Sequence, residues 1–253
     1  MIQYIKKNVV FYVFIFALLM VVSADSSGRM EDKKGLVTYI DGRVKKKVED
    51  NQNWINAAEN TPINSGDKVR TYVKSRAELE LLELDLIRMA PETTIDVVKL
   101  YEETKGKLKE TKITLEKGDI WAKLSKKSEN MKFDINSPVA AAAITGTILR
   151  MGVKDDSTTQ LKVYKGEVRV SNVPMRESVA PSKSVAPTEV PGPKEIPGPR
   201  EISLDEWVYV IKSMQSITIG NNGKVQQYGE FSLEDEDEQT NWIKWNLKQD
   251  NLN

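Results

Sequence analysis

The chain has 253 residues, 40% hydrophobic and 29% charged, enough apolar material for one sizeable core with appendages. Its 37 basic residues balance 37 acidic ones, so composition gives no support to a nucleic-acid partner, which calls for a basic excess or a clustered basic face. Cysteine and histidine are both absent, which excludes thiol nucleophiles, disulfides, Cys/His zinc sites and histidine acid–base triads.

Residues 1–24 have three parts: Lys6 and Lys7, the apolar run Val9 to Val22, and the small-residue end Val22-Ser23-Ala24. This pattern predicts an N-terminal apolar helix that serves as a signal peptide cleaved after Ala24. The run falls short of the about twenty residues a bilayer core requires, so a retained membrane anchor through residues 9–22 is the alternative. Either reading puts the rest of the chain outside the cytoplasm, in the periplasm or on the cell surface. No cysteine is available for a lipid-modified N-terminus, and residues 25–34 read as a polar tether.

From residue 35 to 172 the chain reads as short strands separated by turn residues. Leu36 to Ile40, the Asp41-Gly42 turn and Arg43 to Val48 predict a hairpin, since Asp-Gly readily supplies positive φ angles. Ser65-Gly66-Asp67 precedes a strand from Lys68 to Val73. Ala77 to Leu86 alternates as one further strand, with Leu82 as an extra apolar residue marking a bulge or two-sided burial. Ile95 to Leu100, Leu108 to Leu115 and Asp119 to Leu124 continue the pattern, and Leu161 to Tyr164 with Glu167 to Val170 predict a second hairpin turned by Lys165-Gly166.

A unit recurs along this region: glycine, a charged residue, at most one more residue, then a β-branched aliphatic. It occurs at Gly42-Arg-Val, Gly66-Asp-Lys-Val, Gly118-Asp-Ile and Gly166-Glu-Val, with glycines 24, 52 and 48 residues apart. Spacings near multiples of about 25 point to stacked supersecondary units, as in a twisted solenoid-like or sandwich all-β fold. Ordinary hairpin glycines of an unrelated sandwich are the competing explanation.

Lys132 to Val153, KFDINSPVAAAAITGTILRMGV, is the predicted centre of this β-domain. Phe133 and Ile135 alternate as in a half-buried strand, and Pro138 marks a strand edge. Ala140 to Ala143 favour helix by propensity, but Ile144, Thr145, Thr147 and Ile148 are β-branched and Gly146 interrupts them. The segment is therefore read as strand, with backbone passing close to a second layer at Gly146.

The motif of strand, Ser137-Pro138, small residues from Ala140, Gly146-Thr147 and strand resembles the signature of the FecR-type family. Gly35-Leu-Val, Asp41-Gly-Arg-Val, Ile63-Asn-Ser-Gly-Asp-Lys-Val-Arg-Thr, Lys117-Gly-Asp-Ile-Trp-Ala-Lys-Leu and Tyr164-Lys-Gly-Glu-Val-Arg-Val agree with it in order and spacing over about residues 35–172. The resemblance implies a twisted, solenoid-like β-fold and marks Gly66, Asp67, Gly118, Pro138, Gly146, Thr147 and Gly166 as structural signature residues. Thr145 stands where similar proteins commonly have arginine. The family's regulators sense a transporter's signal and control a sigma factor through a cytoplasmic helical region before the membrane span. The eight residues before the apolar run Val9 to Val22 leave no place for that region, so the sigma-regulator mechanism is not expected to carry over.

Residues 173–202 change composition abruptly. The repeated VAPSK, VAPTE, VPGPKE and IPGPRE predict an exposed, polyproline-rich loop serving as spacer. Residues 203–230 then read as closing strands of the β-domain: Glu206 to Ile211, Ser216 to Ile219, the Asn222-Gly223 turn and Lys224 to Gln227. In the tail, residues 231–253, the acidic run from Ser232 to Glu238 predicts a capped, solvated helix start rather than a cation site. Asn241 to Lys248 predicts a short amphipathic helix docking Trp242 and Trp245.

No phosphate loop, dinucleotide fingerprint or nucleophile elbow is present, and no carboxylate pair stands out for a glycan hydrolase. The expected function is a non-enzymatic binding or scaffolding module of the bacterial envelope, without catalytic, cofactor or metal residues, whose ligand is an envelope protein or glycan. A signalling component related to sigma-factor regulators is the alternative.

Overall fold

The computed structural model describes residues 35–49, 51, 53–82, 85–102, 109–125, 131–172 and 208–252. The predicted signal helix, tether and proline-rich loop lie outside these residues, which all fall in the unit 33–253. The described part is mostly strand: β1 (Gly35–Asp41), β2 (Val44–Lys47), β3 (Trp54–Asn56), β4 (Pro62–Ile63), β5 (Lys68–Thr71), β6 (Arg76–Glu80), β7 (Leu86–Met89), β8 (Thr94–Glu102), β9 (Lys109–Lys123), β10 (Met131–Asn136), β11 (Ala141–Ile144), β12 (Ile148–Val153), β13 (Thr159–Lys165), β14 (Glu167–Ser171), β15 (Val208–Lys212), β16 (Gln215–Ile219) and β17 (Val225–Glu230). A 3-10 turn (Glu236–Glu238) and the helix α1 (Asn241–Asp250) follow.

Hydrogen bonding orders the strands into two ladders. The first runs β17–β16–β13–β12–β9–β7–β6–β1–β4. The second runs β3–β2–β5–β8–β9–β10–β11–β14–β15. All neighbours are antiparallel except β9 and β10, which are parallel. Strand β9 belongs to both ladders, pairing through Lys109–Lys117 in the second and Gly118–Lys123 in the first. Each ladder ends on strands with one neighbour among the described residues, so the sheet is open.

The chain shuttles between the ladders, and its crossings are corners built on left-handed residues. Gly42 lies between β1 and β2, Gly66 between β4 and β5, Gly118 inside β9, Gly146 between β11 and β12, and Gly166 between β13 and β14, with φ of 82°, 82°, 95°, 63° and 95°. Asn60, Lys74, Glu92 and Met214 occupy the corresponding positions at other crossings with φ between 56° and 65°, apart from Lys74 at 52°. One residue at positive φ turns the backbone sharply without a long loop, so the next strand leaves the ladder of the last. All four glycines of the recurring unit are corners of this kind.

This corrects both predicted hairpins. β1 pairs with β6 and β4 while β2 pairs with β5 and β3, and β13 pairs with β12 and β16 while β14 pairs with β11 and β15. Asp41-Gly42 and Lys165-Gly166 supply positive φ as expected, but at a corner. Two strand boundaries change as well. The single strand predicted over Ala77–Leu86 is the antiparallel pair β6–β7, with Leu81 and Leu82 buried in the connection. The two strands predicted over 108–115 and 119–124 are continuous as β9, whose only interruption of ladder membership is the corner at Gly118.

Alternate residues of both ladders meet in one apolar core, including Leu79, Ile120 and Leu149 from the first and Val69, Ile113 and Ile135 from the second, all with no exposed surface. The alanine run is strand: Ala141–Ile144 pairs with β10 on one side and β14 on the other, and ladder pairing overrides alanine's helix propensity.

Outside the first ladder lies a second apolar cluster. Trp121, Ile148 and Tyr164 of the ladder pack with Phe231, Trp242, Ile243 and Leu247 of the tail. Helix α1 begins at Thr240, whose side chain accepts from the Ile243 amide at 3.3 Å, and ends at left-handed Asn251. The predicted solvated acidic start is thereby corrected: the acidic run forms the turn before α1, and Glu238 is 1% exposed.

Candidate functional site

The outer faces of the two ladders differ. That of the first ladder is sealed by the tail through two ionic knots. In one, Lys162 Nζ meets Asp237 at 2.5 Å and Glu238 at 2.8 Å, while the Tyr164 hydroxyl donates to Glu238 at 2.5 Å. Arg150 holds Asp119 at 2.7 Å, and its Nη1 lies 3.5 Å from Glu238, an ionic contact without hydrogen-bond geometry. Burial pushes the Asp119 carboxyl upward despite Arg150, and burial beside Glu238 pushes the Tyr164 phenol upward. In the other knot, Arg88 grips Asp250 through two bonds of 3.0 Å, and Trp121 Nε1 donates to Asp250 at 2.7 Å. Burial raises the Asp250 carboxyl, but the hydrogen bonds and charge of Arg88, with Trp121 and Lys123, hold it below its ordinary value. Every carboxylate in these knots is committed to a cation or donor within the fold, so their geometry is that of a fastening.

The second ladder carries an open groove of about 710 Å³ across β9, β10, β11 and β14. Register explains its shape. Asp134 stands opposite Lys112 on one side and Ala143 on the other, and Ala143 stands opposite Arg169. An alanine between two charged side chains, one of them a long arginine, leaves a trough, since successive strands are about 4.8 Å apart and nothing at that position fills the space. In the neighbouring row Lys132 stands opposite Glu110, and Glu110 is held by Lys99 at 2.6 Å. Lys112, Lys132 and Arg169 are thus interleaved with Glu110, Asp134 and Glu167 around the rim, while the half-buried Met131 and Ala143 contribute apolar surface. Mixed charge around an apolar floor suits a polar macromolecular surface. Among the described residues, no group of three carboxylates is placed to hold a metal ion.

None of the seven signature residues lines the groove: Gly66, Gly118, Gly146 and Gly166 are corners, Asp67 and Thr147 each follow one, and Pro138 lies in the turn between β10 and β11. Gly66 turns the chain into β5, and Asp67 accepts from the Asn64 amide at 2.7 Å and pairs with buried Lys46 at 2.6 Å. At Gly118 the chain crosses over Thr93, whose hydroxyl accepts from the Asp119 amide at 3.0 Å and donates to its carbonyl at 3.1 Å. The Thr147 hydroxyl donates to the Glu167 carbonyl at 2.9 Å, tying the Gly146 corner to the Gly166 corner. Pro138 is exposed in a turn that Ser137 holds by accepting from the Ala140 amide at 3.0 Å. Gly146 has a left-handed backbone with φ of 63°, which by itself favours glycine there. Thr145 is exposed on the groove rim.

Residues 67–169 match the family model described as FecR protein. The stretch from Asp67 to Arg169, which holds every residue lining the groove and five of the nine corners, is thus similar to a FecR domain. Two crystal structures from Parabacteroides distasonis, each described as a candidate anti-sigma factor, are similar to the chain with TM-score 0.42 and 13% identity, over 64% of this chain and 59% of theirs. The chain thus spans 59% of the length of those structures. No curated protein matches it.

Proposed function

We propose that the chain is a non-enzymatic recognition module of the bacterial envelope, which takes a protein partner in the groove of the second ladder. The observation that carries this reading is the asymmetry of the two faces. The first ladder's face is occupied by the chain's own tail, whereas the groove is open and lies wholly within the FecR-matched stretch. The signal-like residues 1–24 support an extracytoplasmic location, and the corner-linked ladders support a solenoid-like arrangement of the β-domain. A regulatory reading has its own support in the FecR match: a partner in the groove would pass on a signal from another envelope component.

The test compares capture of envelope proteins by the wild-type chain and by Glu167→Ala/Arg169→Ala. Both positions are exposed, so folding should persist while a specific partner is lost. Equal capture by the two would remove the groove from the account. A cytosolic location of the native protein would remove the envelope assignment.

A further inference from the structure

Strand β2 reads Val44-Lys45-Lys46-Lys47, and its burial alternates: Val44 and Lys46 point inward, Lys45 and Lys47 outward. Buried Lys46 is satisfied by Asp67 and by the Pro62 carbonyl at 2.7 Å. The outward pair has a different environment. Register puts Lys45 opposite Arg70 and Lys47 opposite Lys68, two successive like-charge pairs across neighbouring strands. Such pairs oppose sheet formation unless anions compensate them. Lys68 has Asp96 at 3.1 Å and Glu116, but among the described residues neither Lys45 nor Arg70 has a carboxylate within ion-pairing distance.

The surroundings of these cations are those of a binding surface. The Arg70 guanidinium lies over the Trp54 ring at 4.5 Å and donates to Thr94 at 3.0 Å, while Arg43 lies over the Tyr72 ring at 3.9 Å. Stacking fixes each planar fork and leaves its edge for bidentate contact with a carboxylate, sulfate or phosphate. Beside them is a depression of about 360 Å³ lined by Arg70, Tyr72, Thr94 and Lys117, with Glu92 and Glu116 also on its wall. Lys117 closes the row Lys45–Arg70–Thr94–Lys117 across four strands, although Asp155 lies 2.6 Å from it. At about 4.8 Å per strand the row extends about 14 Å.

We infer that this face, formed by β2, β3, β5, β8 and the Lys117 stretch of β9, binds an anionic polysaccharide laid across the strands. The cations stand on successive strands beside the half-exposed Trp54 and Tyr72, which matches a polymer that alternates anions with hydroxyl-bearing sugar rings. The site is separate from the groove, so it stands or falls independently of the protein-binding reading. Overall neutrality conceals it, because the basic side chains are clustered by register.

The experiment measures binding of the purified full chain to polygalacturonate, with neutral dextran and a single-stranded oligodeoxynucleotide as the other arms. Binding to polygalacturonate should weaken as salt rises, and dextran should not bind. Lys45→Gln/Arg70→Gln should lose at least about tenfold in affinity, and the exposed Arg43→Gln should weaken it on its own. Lys224→Gln/Lys248→Gln removes the same charge elsewhere and should leave binding unchanged. Absence of polygalacturonate binding, equal loss in the two double variants, or equally tight binding of the oligodeoxynucleotide would each overturn the inference.

Discussion

Gly118→Ala tests whether the corners hold the two ladders together. An added Cβ would lie 2.4 Å from Thr93 Oγ1, 2.6 Å from Thr93 Cα and 2.8 Å from Thr93 Cβ. Ordinary carbon contacts are about 3.5 Å or more. Thr93 has little freedom to retreat, since its hydroxyl bridges the Asp119 amide and carbonyl and its own amide donates to Thr71 Oγ1 at 3.0 Å. The φ of 95° adds a separate penalty of about 1–2 kcal/mol for a residue with a Cβ. Overpacking at a site of this kind costs about 1–3 kcal/mol more. The expected total, about 2–5 kcal/mol, is a large part of the about 5–15 kcal/mol that holds a domain. Gly223→Ala isolates the conformational part, because φ there is 74° and nothing lies within 4 Å of the added carbon. Urea unfolding of both variants gives the comparison, with midpoints read at unchanged m-value. Gly118→Ala should lose about 1–3 kcal/mol more than Gly223→Ala, about 2–12 °C in Tm for a domain of this size. Equal losses in the two would refute the packed corner.

Three further outcomes are expected. Glu238→Gln leaves Lys162 with the half-exposed Asp237 alone and should cost about 3–5 kcal/mol, whereas Asp237→Asn should cost under about 1 kcal/mol, as urea midpoints will show. The depressed Asp250 carboxyl contributes stability that is present above its unfolded value of about 3.9 and lost as pH falls through the lower folded value. Asp250→Asn should therefore be less stable than wild type at pH 7, and the gap should narrow below about pH 4 in urea titrations at successive pH values. Gly146→Asn should be tolerated better than Gly146→Val, because asparagine enters the left-handed region more readily than a β-branched residue; thermal melts that rank them in reverse would put the cause elsewhere.

Local requirements were legible in the sequence. Alternation marked most strands because each buries one side against a shared core, and the glycine-charge-aliphatic unit marked four corners because only glycine accepts φ near 82–95° without strain. The amphipathic spacing of Trp242, Ile243 and Leu247 marked a docking helix for the same reason. Corners without glycine, at Lys74, Glu92 and Met214, left no such trace. Partner choice was beyond local reading: Asp41-Gly42 permits a hairpin or a corner equally, and the decision lies in whether β2 finds β1 or β5 across the chain. The groove likewise depends on register, which puts Ala143 between Asp134 and Arg169. In the acidic tail, sequence shows a run of carboxylates suited to solvent. Tertiary structure alone decided that Glu238 is buried against Lys162 and Tyr164 and Asp250 against Arg88 and Trp121, because those partners lie 74 to 162 residues away in the chain and only folding delivers their charge.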